Sequence, residues 1–377
     1  MNIKDILDIN LLEKHIQNGL VQKKKHPQKS LFLYTYTHKC QTEWAWDKVT
    51  IQCRGLITKE DGTIVARPFK KFFTPDQYRD LRSSIWHLYK RKFKNLFNGP
   101  FTVTEKMDGS LGILYHDGDD WAIATKGSFK SEQAIKATQI LRQKYPQIWP
   151  NDSLTYLFEI IYPENQIVVD YQGKEDLVLI GVIDTDTGLD IPFSKQPVGD
   201  CASNLYNIIP SAPIHQFNSF DEILTQQYDN REGFVVRFED GFRVKVKFAE
   251  YLRLHKIMTN FSPKKVWECL YNDEPIGHLL NNVPTAFACT VANLVQNFTN
   301  IFHNIRRIAN KRVKELSWYH QTDITRKQVA LAIKDHSYKA VMFKMMDNKN
   351  YDQAIWKLVW KEYQQKDNKN NVKLVQK

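Results

Sequence analysis

Strand patterns of apolar and polar positions run up to about residue 255, and helical patterns take over beyond it. At the start, Ile3, Ile6, Leu7, Leu11 and Leu12 have the spacing of a helix over residues 3–18. Lys23-Lys24-Lys25-His26-Pro27 is a polar break, either a solvated loop or a contact to nucleic acid. Leu31 to Thr37 reads as a strand. Ile51–Thr58 and Thr63–Arg67 read as a hairpin closed by Asp61-Gly62, which places Arg54 within a strand. Residues 76–98 are helical, with Arg79, Arg82, Lys90, Arg91, Lys92 and Lys94 between Tyr78, Trp86, Tyr89, Phe93 and Phe97. That is either an amphipathic helix with a charged outer face or an RNA-facing surface.

Leu111–Tyr115 and Trp121–Lys126 can pair across an Asp- and Gly-rich turn, and a helix follows near Ser131–Lys144. Leu154–Ile161 and Leu177–Ile183 are apolar strands, the first carrying Glu159, which needs a partner if buried. Phe234–Phe238 and Phe242–Lys247 form a further hairpin. In its second strand Arg243, Lys245 and Lys247 share a face, and three cations there are expected to hold an anion such as a triphosphate. Helices are expected near Lys264–Leu270, Val283–Leu316, Arg326–Lys344 and Tyr351–Gln365, with a frayed tail from Lys366. The fold class predicted is α+β, with antiparallel sheets and flanking helices over 1–255 and an all-α domain over 256–377.

Composition adds a partner and removes some classes. The chain has 377 residues and a net charge of +11, which favours a polyanion. Cys40, Cys53, Cys201, Cys269 and Cys289 are scattered without a Cys-x-x-Cys pair, so neither a zinc site nor a disulfide framework is expected, and a reducing cytoplasm fits. No signal peptide or membrane span is expected. Without a Gly-x-x-x-x-Gly-Lys-Ser/Thr loop, a fused P-loop kinase is excluded.

The candidate chemistry centres on Glu105-Lys106-Met107-Asp108-Gly109-Ser110, which lies between two strand-like runs. A lysine two residues before Asp-Gly is the nucleophile signature of covalent nucleotidyltransferases, with the Asp-Gly turn expected to let backbone pass close to a nucleotide. Other stretches accompany it in order: Cys53-Arg54-Gly55-Leu56, Ala66-Arg67-Pro68-Phe69-Lys70-Lys71-Phe72-Phe73, Thr125-Lys126-Gly127-Ser128-Phe129-Lys130, Leu157-Phe158-Glu159-Ile160, Arg231-Glu232-Gly233-Phe234 and Val244-Lys245-Val246-Lys247. Over roughly its first two-thirds the sequence resembles the T-even bacteriophage RNA ligase 1 family of ATP-dependent RNA ligases.

The resemblance implies a nucleotidyltransferase domain over 1–255 and a helical RNA-specificity appendage over 256–377. It implies that Lys106 attacks the α-phosphate of ATP, that AMP passes to an RNA 5′-phosphate, and that a 3′-hydroxyl then expels AMP. Tyr36, Arg54, Lys71, Glu159, Lys245 and Lys247 would bind the nucleotide, and Lys126 would act on the RNA phosphate. Lys106 must lose a proton to react. A cation at about 4 Å and an effective dielectric of about 20 is worth roughly 4 kcal/mol, so Lys245 or Lys247 is expected to bring Lys106 towards neutrality. Magnesium, or manganese in its place, is implied beside Glu232 and Glu159, acting through water. Asp273 is a further metal candidate or a residue of a surface turn. The implied partners are RNA with 5′-phosphate and 3′-hydroxyl ends, broken tRNA among them, and a separate end-healing kinase and phosphatase.

DNA ligases and GTP-dependent capping enzymes share much of this set, but they usually add an OB-fold where this chain has helical patterns. A non-catalytic RNA-binding protein would use the basic surface alone, and the intact Lys106, Glu159, Glu232, Lys245 and Lys247 set argues against it.

Overall fold

The computed structural model describes residues 1–79, 99–191, 205–280, 283, 285–319 and 326–375. Its contacts divide the chain into two compact units, Met1–His255 and Lys256–Lys377.

The described residues of the first unit form three four-stranded antiparallel sheets. One contains β1 (Val21–Lys25), β2 (Leu31–Tyr36), β3 (Arg54–Lys59) and β4 (Ile64–Ala66), in that order. A second has the order β7 (Trp121–Thr125), β6 (Ser110–His116), β8 (Leu154–Ile161), β9 (Asp176–Asp184). The third has the order β10 (Ile214–His215), β5 (Phe101–Glu105), β11 (Gly233–Phe238), β12 (Arg243–Lys247). Strand β8 is buried on both faces, and Glu159 alone in it is not fully enclosed. One face of that sheet is covered by α4 (Glu132–Lys144), which Ser131 caps by accepting from Ala134 N. Ala137, Ile140 and Leu141 of this helix pack with Tyr156, Phe158, Leu177 and Leu179. Burying each of the larger side chains contributes about 1.5–3 kcal/mol, enough to fix the register of β8 and so the position of Glu159.

Several local expectations change. The polar break at residues 23–27 is largely strand: Val21–Lys25 pairs with β2 at the edge of its sheet and leaves Gln22 to Lys25 exposed. An edge strand with solvated side chains has no apolar alternation to betray it. The predicted first helix is broken, because Asp8 accepts from Leu11 N and starts α1 (Ile9–Gln17) after a short 3₁₀ turn at Ile3–Asp5. Of the predicted basic helix over 76–98, only α3 (Pro75–Arg79) falls within the described residues. The short helices α2 (His38–Thr42), α5 (Leu205–Ile208) and α6 (Phe220–Thr225), and α7 (Ala249–Thr259), were not anticipated.

The second unit contains α8 (Pro263–Asn272), α9 (Gly277–Leu280), α10 (Thr285–Tyr319), α11 (Arg326–Ala332), α12 (Lys339–Met346) and α13 (Asp352–Val375). Helix α10 buries Phe287, Val291, Phe298, Ile301, Phe302, Ile305, Ala309 and Leu316, a helical stripe, with Val341, Met342, Ile355 and Val359 in the same core. The predicted helix over 326–344 is two helices, with His336 Nδ1 accepting from Tyr338 N at the break. Helix α13 runs past Gln365, because no glycine or proline interrupts it. Among the described residues no helix is long and apolar enough to cross a membrane.

Candidate active site

Strand register brings the first group together. Glu105 pairs with Phe234 across β5 and β11, and Gly233 pairs with Lys247 across β11 and β12. The residue after β5, the residue before β11 and the last residue of β12 therefore meet at one sheet end. These are Lys106, Glu232 and Lys247. Lys106 Nζ donates to Glu232 Oε2 at 2.8 Å, and Lys247 Nζ pairs with Glu232 Oε1 at 2.8 Å. Glu232 is 3 % exposed, and an isolated carboxylate at that depth would be costly without its two cations. Gly233 makes the approach possible. Its φ is +146°, and a Cβ there would stand 1.9 Å from Val246 O.

The loop after Lys106 is pinned from several sides. Asp108 is buried; its Oδ2 accepts from Val168 N and Val169 N at 2.8 and 2.9 Å, and its Oδ1 accepts from Tyr251 OH at 2.8 Å. Gly109 N donates to Glu159 Oε1 at 3.0 Å. A Cβ on Gly109 would lie 2.5 Å from Ile160 O. The glycine is thus required by the close approach of β8, whereas the sequence suggested an approach to nucleotide. Asp108 and Tyr251 were given no role from sequence. An aspartate before glycine reads as a turn, and nothing local marks Tyr251.

A cationic cluster lies beside this group. Lys71 Nζ stands 5.4, 5.5 and 5.5 Å from the ring centroids of Tyr36, Trp46 and Phe73, and Lys126 Nζ stands 4.1 Å from that of Tyr36. Lys71 is held there by backbone: its N donates to Ile51 O, and Phe73 bridges to Val244 of β12. The Arg54 guanidinium lies 4.8 Å from the Phe69 ring, and its Nη1 is buried without a hydrogen-bond partner. The structure thus brings Tyr36, Arg54, Lys71, Lys126, Lys245 and Lys247 near one another. Trp46 and Phe73, which wall Lys71, carried no recognisable sequence signal for that role.

The charges of this cluster correct one expectation. Burial pushes Lys71 down to about 6, helped by Lys245, Arg54, Lys126 and Lys247. Lys245 falls to about 7 through burial and then Lys247 and Lys106. Lys106 goes the other way. Burial disfavours its charge, but Glu232 and Glu159 outweigh burial and hold it above the ordinary lysine value. Lys245 and Lys247 therefore do not bring Lys106 near neutrality here, because Glu232 sits between it and Lys247. Burial raises Glu159 to about 7, with Lys106 opposing and Glu232 reinforcing the rise. Arg243 also departs from expectation. It forms a two-pronged ion pair with Asp190 and lies 4.5 Å over the Phe69 ring, so an internal carboxylate neutralises it.

Glu232 and Glu159 are the carboxylates beside the cluster that would hold a divalent cation, and because lysines engage both Glu232 oxygens the ion would compete with Lys106 or Lys247 for them. Among the described residues no group of three or more Asp, Glu, His or Cys side chains gathers as a metal site. Two carboxylates suit magnesium, which keeps several waters and leans on substrate phosphates. Asp273 belongs to the second unit, is exposed, and adopts φ 58° as the left-handed cap of α8. The cap accounts for it, and no metal role is supported.

The RNA ligase family of the T4 RNA ligase 1 type matches residues 52–251. The chain is 24% identical over 382 residues to an RNA ligase of Rhodothermus phage RM378, covering 84% of this chain and 85% of that one. It is 26% identical to a putative bifunctional polynucleotide kinase/RNA ligase of Autographa californica nuclear polyhedrosis virus, covering 60% of this chain and 34% of that one. A Naegleria gruberi RNA ligase mutant solved with ATP and Mn aligns with a TM-score of 0.36 at 22% identity, over 46% of this chain and 56% of its own. The chain belongs to the T4-type RNA ligase family.

Proposed function

We propose that this RNA ligase joins 5′-phosphate and 3′-hydroxyl RNA ends with ATP and a divalent metal, through AMP carried on Lys106. The observation that carries the reading is one half-buried lysine, Lys106, held by a carboxylate at 2.8 Å beside a cluster of basic side chains that includes Lys71, Arg54, Lys126, Lys245 and Lys247. Five basic groups with so few carboxylates suit a triphosphate, whose charge would draw Lys71 and Lys245 into their protonated forms, and the unpartnered Arg54 Nη1 is a donor awaiting an acceptor. Lys245 and Lys247 would oppose charge building on the α-phosphate during attack. Glu232 keeps Lys106 protonated at rest, so the amine becomes a nucleophile only when that hold is relaxed. A divalent metal at Glu232 would supply positive charge against the carboxylate and the phosphoryl oxygens. Lys126 would then serve the RNA phosphate, and Glu159 a ribose hydroxyl.

RNA repair, with broken tRNA as a substrate and separate enzymes that heal the ends, is the role this chemistry fits. The second unit would help select the RNA. Arg307, Lys311 and Lys314 are exposed on α10. Replacing all three by Gln in the full chain is expected to weaken binding of a nicked stem-loop and to leave ATP adduct formation intact. Equal binding would leave the unit a structural role. The reading as a whole is tested by incubating the protein separately with labelled ATP and labelled GTP, then with 5′-phosphorylated single-stranded RNA. A covalent adduct with ATP and a sealed product are expected. An adduct with GTP alone, or none, would overturn it.

A further inference from the structure

The free edge of the first sheet carries cations that the proposed catalytic steps do not use. Lys23, Lys24 and Lys25 follow one another on β1, all exposed. Among the described residues no carboxylate pairs with any of them. Lys23 Nζ lies 4.3 Å over the Phe32 ring and 5.7 Å from that of Tyr34, both on β2. Lys25 pairs with Phe32 in the register and so projects on the same face as Lys23. Lys24 leaves by the other face and donates to Gly127 O at 2.7 Å. Gly127 follows Lys126, whose amine stands over Tyr36 in the cationic cluster.

Edge strands commonly carry lysines to prevent pairing with other chains, and that role needs no ligand. This edge differs in where it leads. The Lys24 bond ties the strand to the turn that carries Lys126, and on the face of Lys23 and Lys25 the β2 register runs from Phe32 and Tyr34 to Tyr36, over whose ring Lys126 stands. A lysine lying on an aromatic ring at the surface is also an arrangement found where proteins hold single strands, which combine charge with ring faces.

We propose that the β1 edge, with Lys23 and Lys25 as its contacts, holds the single-stranded RNA that leads into the active site. This rests on the ligase reading above and extends it to a surface outside the nucleotide site. The strand offers cations two residues apart, about 6.6 Å along its length, to successive backbone phosphates. Such contacts carry no base information, so the surface binds RNA by its backbone and without sequence preference.

The test is the variant Lys23→Gln/Lys25→Gln, with Lys4→Gln as a control of the same type on another part of the surface. The probe is a 5′-phosphorylated single-stranded oligoribonucleotide of about 12 nucleotides. Binding is followed by fluorescence anisotropy from about 50 to 200 mM salt, with circular dichroism to verify folding. Removing two phosphate contacts is expected to make the log–log salt dependence shallower by about 1.4 and to weaken binding severalfold at the lowest salt. ATP labelling should match the unmodified protein. The charge-reversed pair Lys23→Glu/Lys25→Glu should weaken binding further. Slopes and affinities equal to those of Lys4→Gln would overturn the proposal and leave edge protection as the role of these lysines. Failure of the unmodified protein to form an ATP adduct would count against the ligase reading, while the salt slopes would still decide the binding surface.

Discussion

Glu232 holds two lysines at once, its Oε2 against Lys106 Nζ and its Oε1 against Lys247 Nζ, both at 2.8 Å. Burial alone would lower Lys106, and Glu232 is the largest charge acting against it. Removing that charge in Glu232→Gln should therefore let Lys106 lose its proton more easily. The pH profile of adduct formation is expected to move down by about one unit or more, with the maximal rate reduced about 10²-fold or more. A lower rate on an unmoved profile would show that Glu232 does not control the Lys106 proton.

Lys71 and Lys245 stand at about 6 and about 7 in the ligand-free protein, both below the ordinary lysine value of 10.5. Unfolding restores the ordinary value, so between these limits the unfolded chain binds more protons than the folded one. Their contribution to stability then rises with pH, from about 6 towards about 10. Lys71→Met should melt with a weaker pH dependence than the unmodified protein. Inorganic tripolyphosphate should flatten the dependence of the unmodified protein by favouring the charged lysines. Thermal melts at about pH 6.5 and about pH 8.5 check this window. A variant as pH-sensitive as its parent contradicts the account.

Gly233→Ala places a Cβ 1.9 Å from Val246 O at φ +146°, a conformation L side chains rarely adopt. Backbone must shift at the junction that sets Glu232 against Lys106. The strain is expected to cost about 1–3 kcal/mol or more, and adduct formation should fall even though every charged side chain remains. Denaturant unfolding and ATP labelling measure the two effects. A variant of unchanged stability and labelling would mean that the junction adapts freely.

The parts of this molecule most readable in the sequence are those with strong period-two or motif signals. Leu154–Ile161 was expected as a strand at the bounds observed, because a buried strand is a short apolar run closed by polar residues. The helix expected near Ser131–Lys144 is observed over Glu132–Lys144, with Ser131 as its cap. Arg54, Lys71, Lys126, Glu159, Glu232, Lys245 and Lys247 could be picked out as motif residues, but their pairing could not. Whether Lys106 is flanked by cations or clasped by Glu232 depends on register across three strands, and no local pattern encodes that. Val21–Lys25 was missed because its burial pattern has no alternation, and the walls around Lys71 were missed because Trp46 and Phe73 lie far apart in sequence.

Asp108 accepts three hydrogen bonds, two from backbone and one from Tyr251. Tyr251→Phe removes one of them and should cost about 1–2 kcal/mol. Asp108→Asn removes the charge that accepts all three bonds and leaves its amide NH₂ facing either the two backbone N–H groups or the Tyr251 hydroxyl, which would then lose the acceptor for its own proton, so it should cost more than Tyr251→Phe and reduce adduct formation by loosening the loop after Lys106. Denaturant titration of both variants gives the order. The reverse order, with the tyrosine change the larger, would contradict this picture of the loop.

The central claim is that Lys106 carries AMP, and labelling with ATP tests it most directly. The full-length protein is incubated with ATP labelled in the α-phosphate and a divalent metal, digested, and the modified peptide identified by mass spectrometry. The modification is expected on Lys106 and is expected to be absent from Lys106→Ala, which should still seal RNA supplied already adenylylated. Label on Lys106→Ala, or on another lysine of the unmodified protein, would contradict the account.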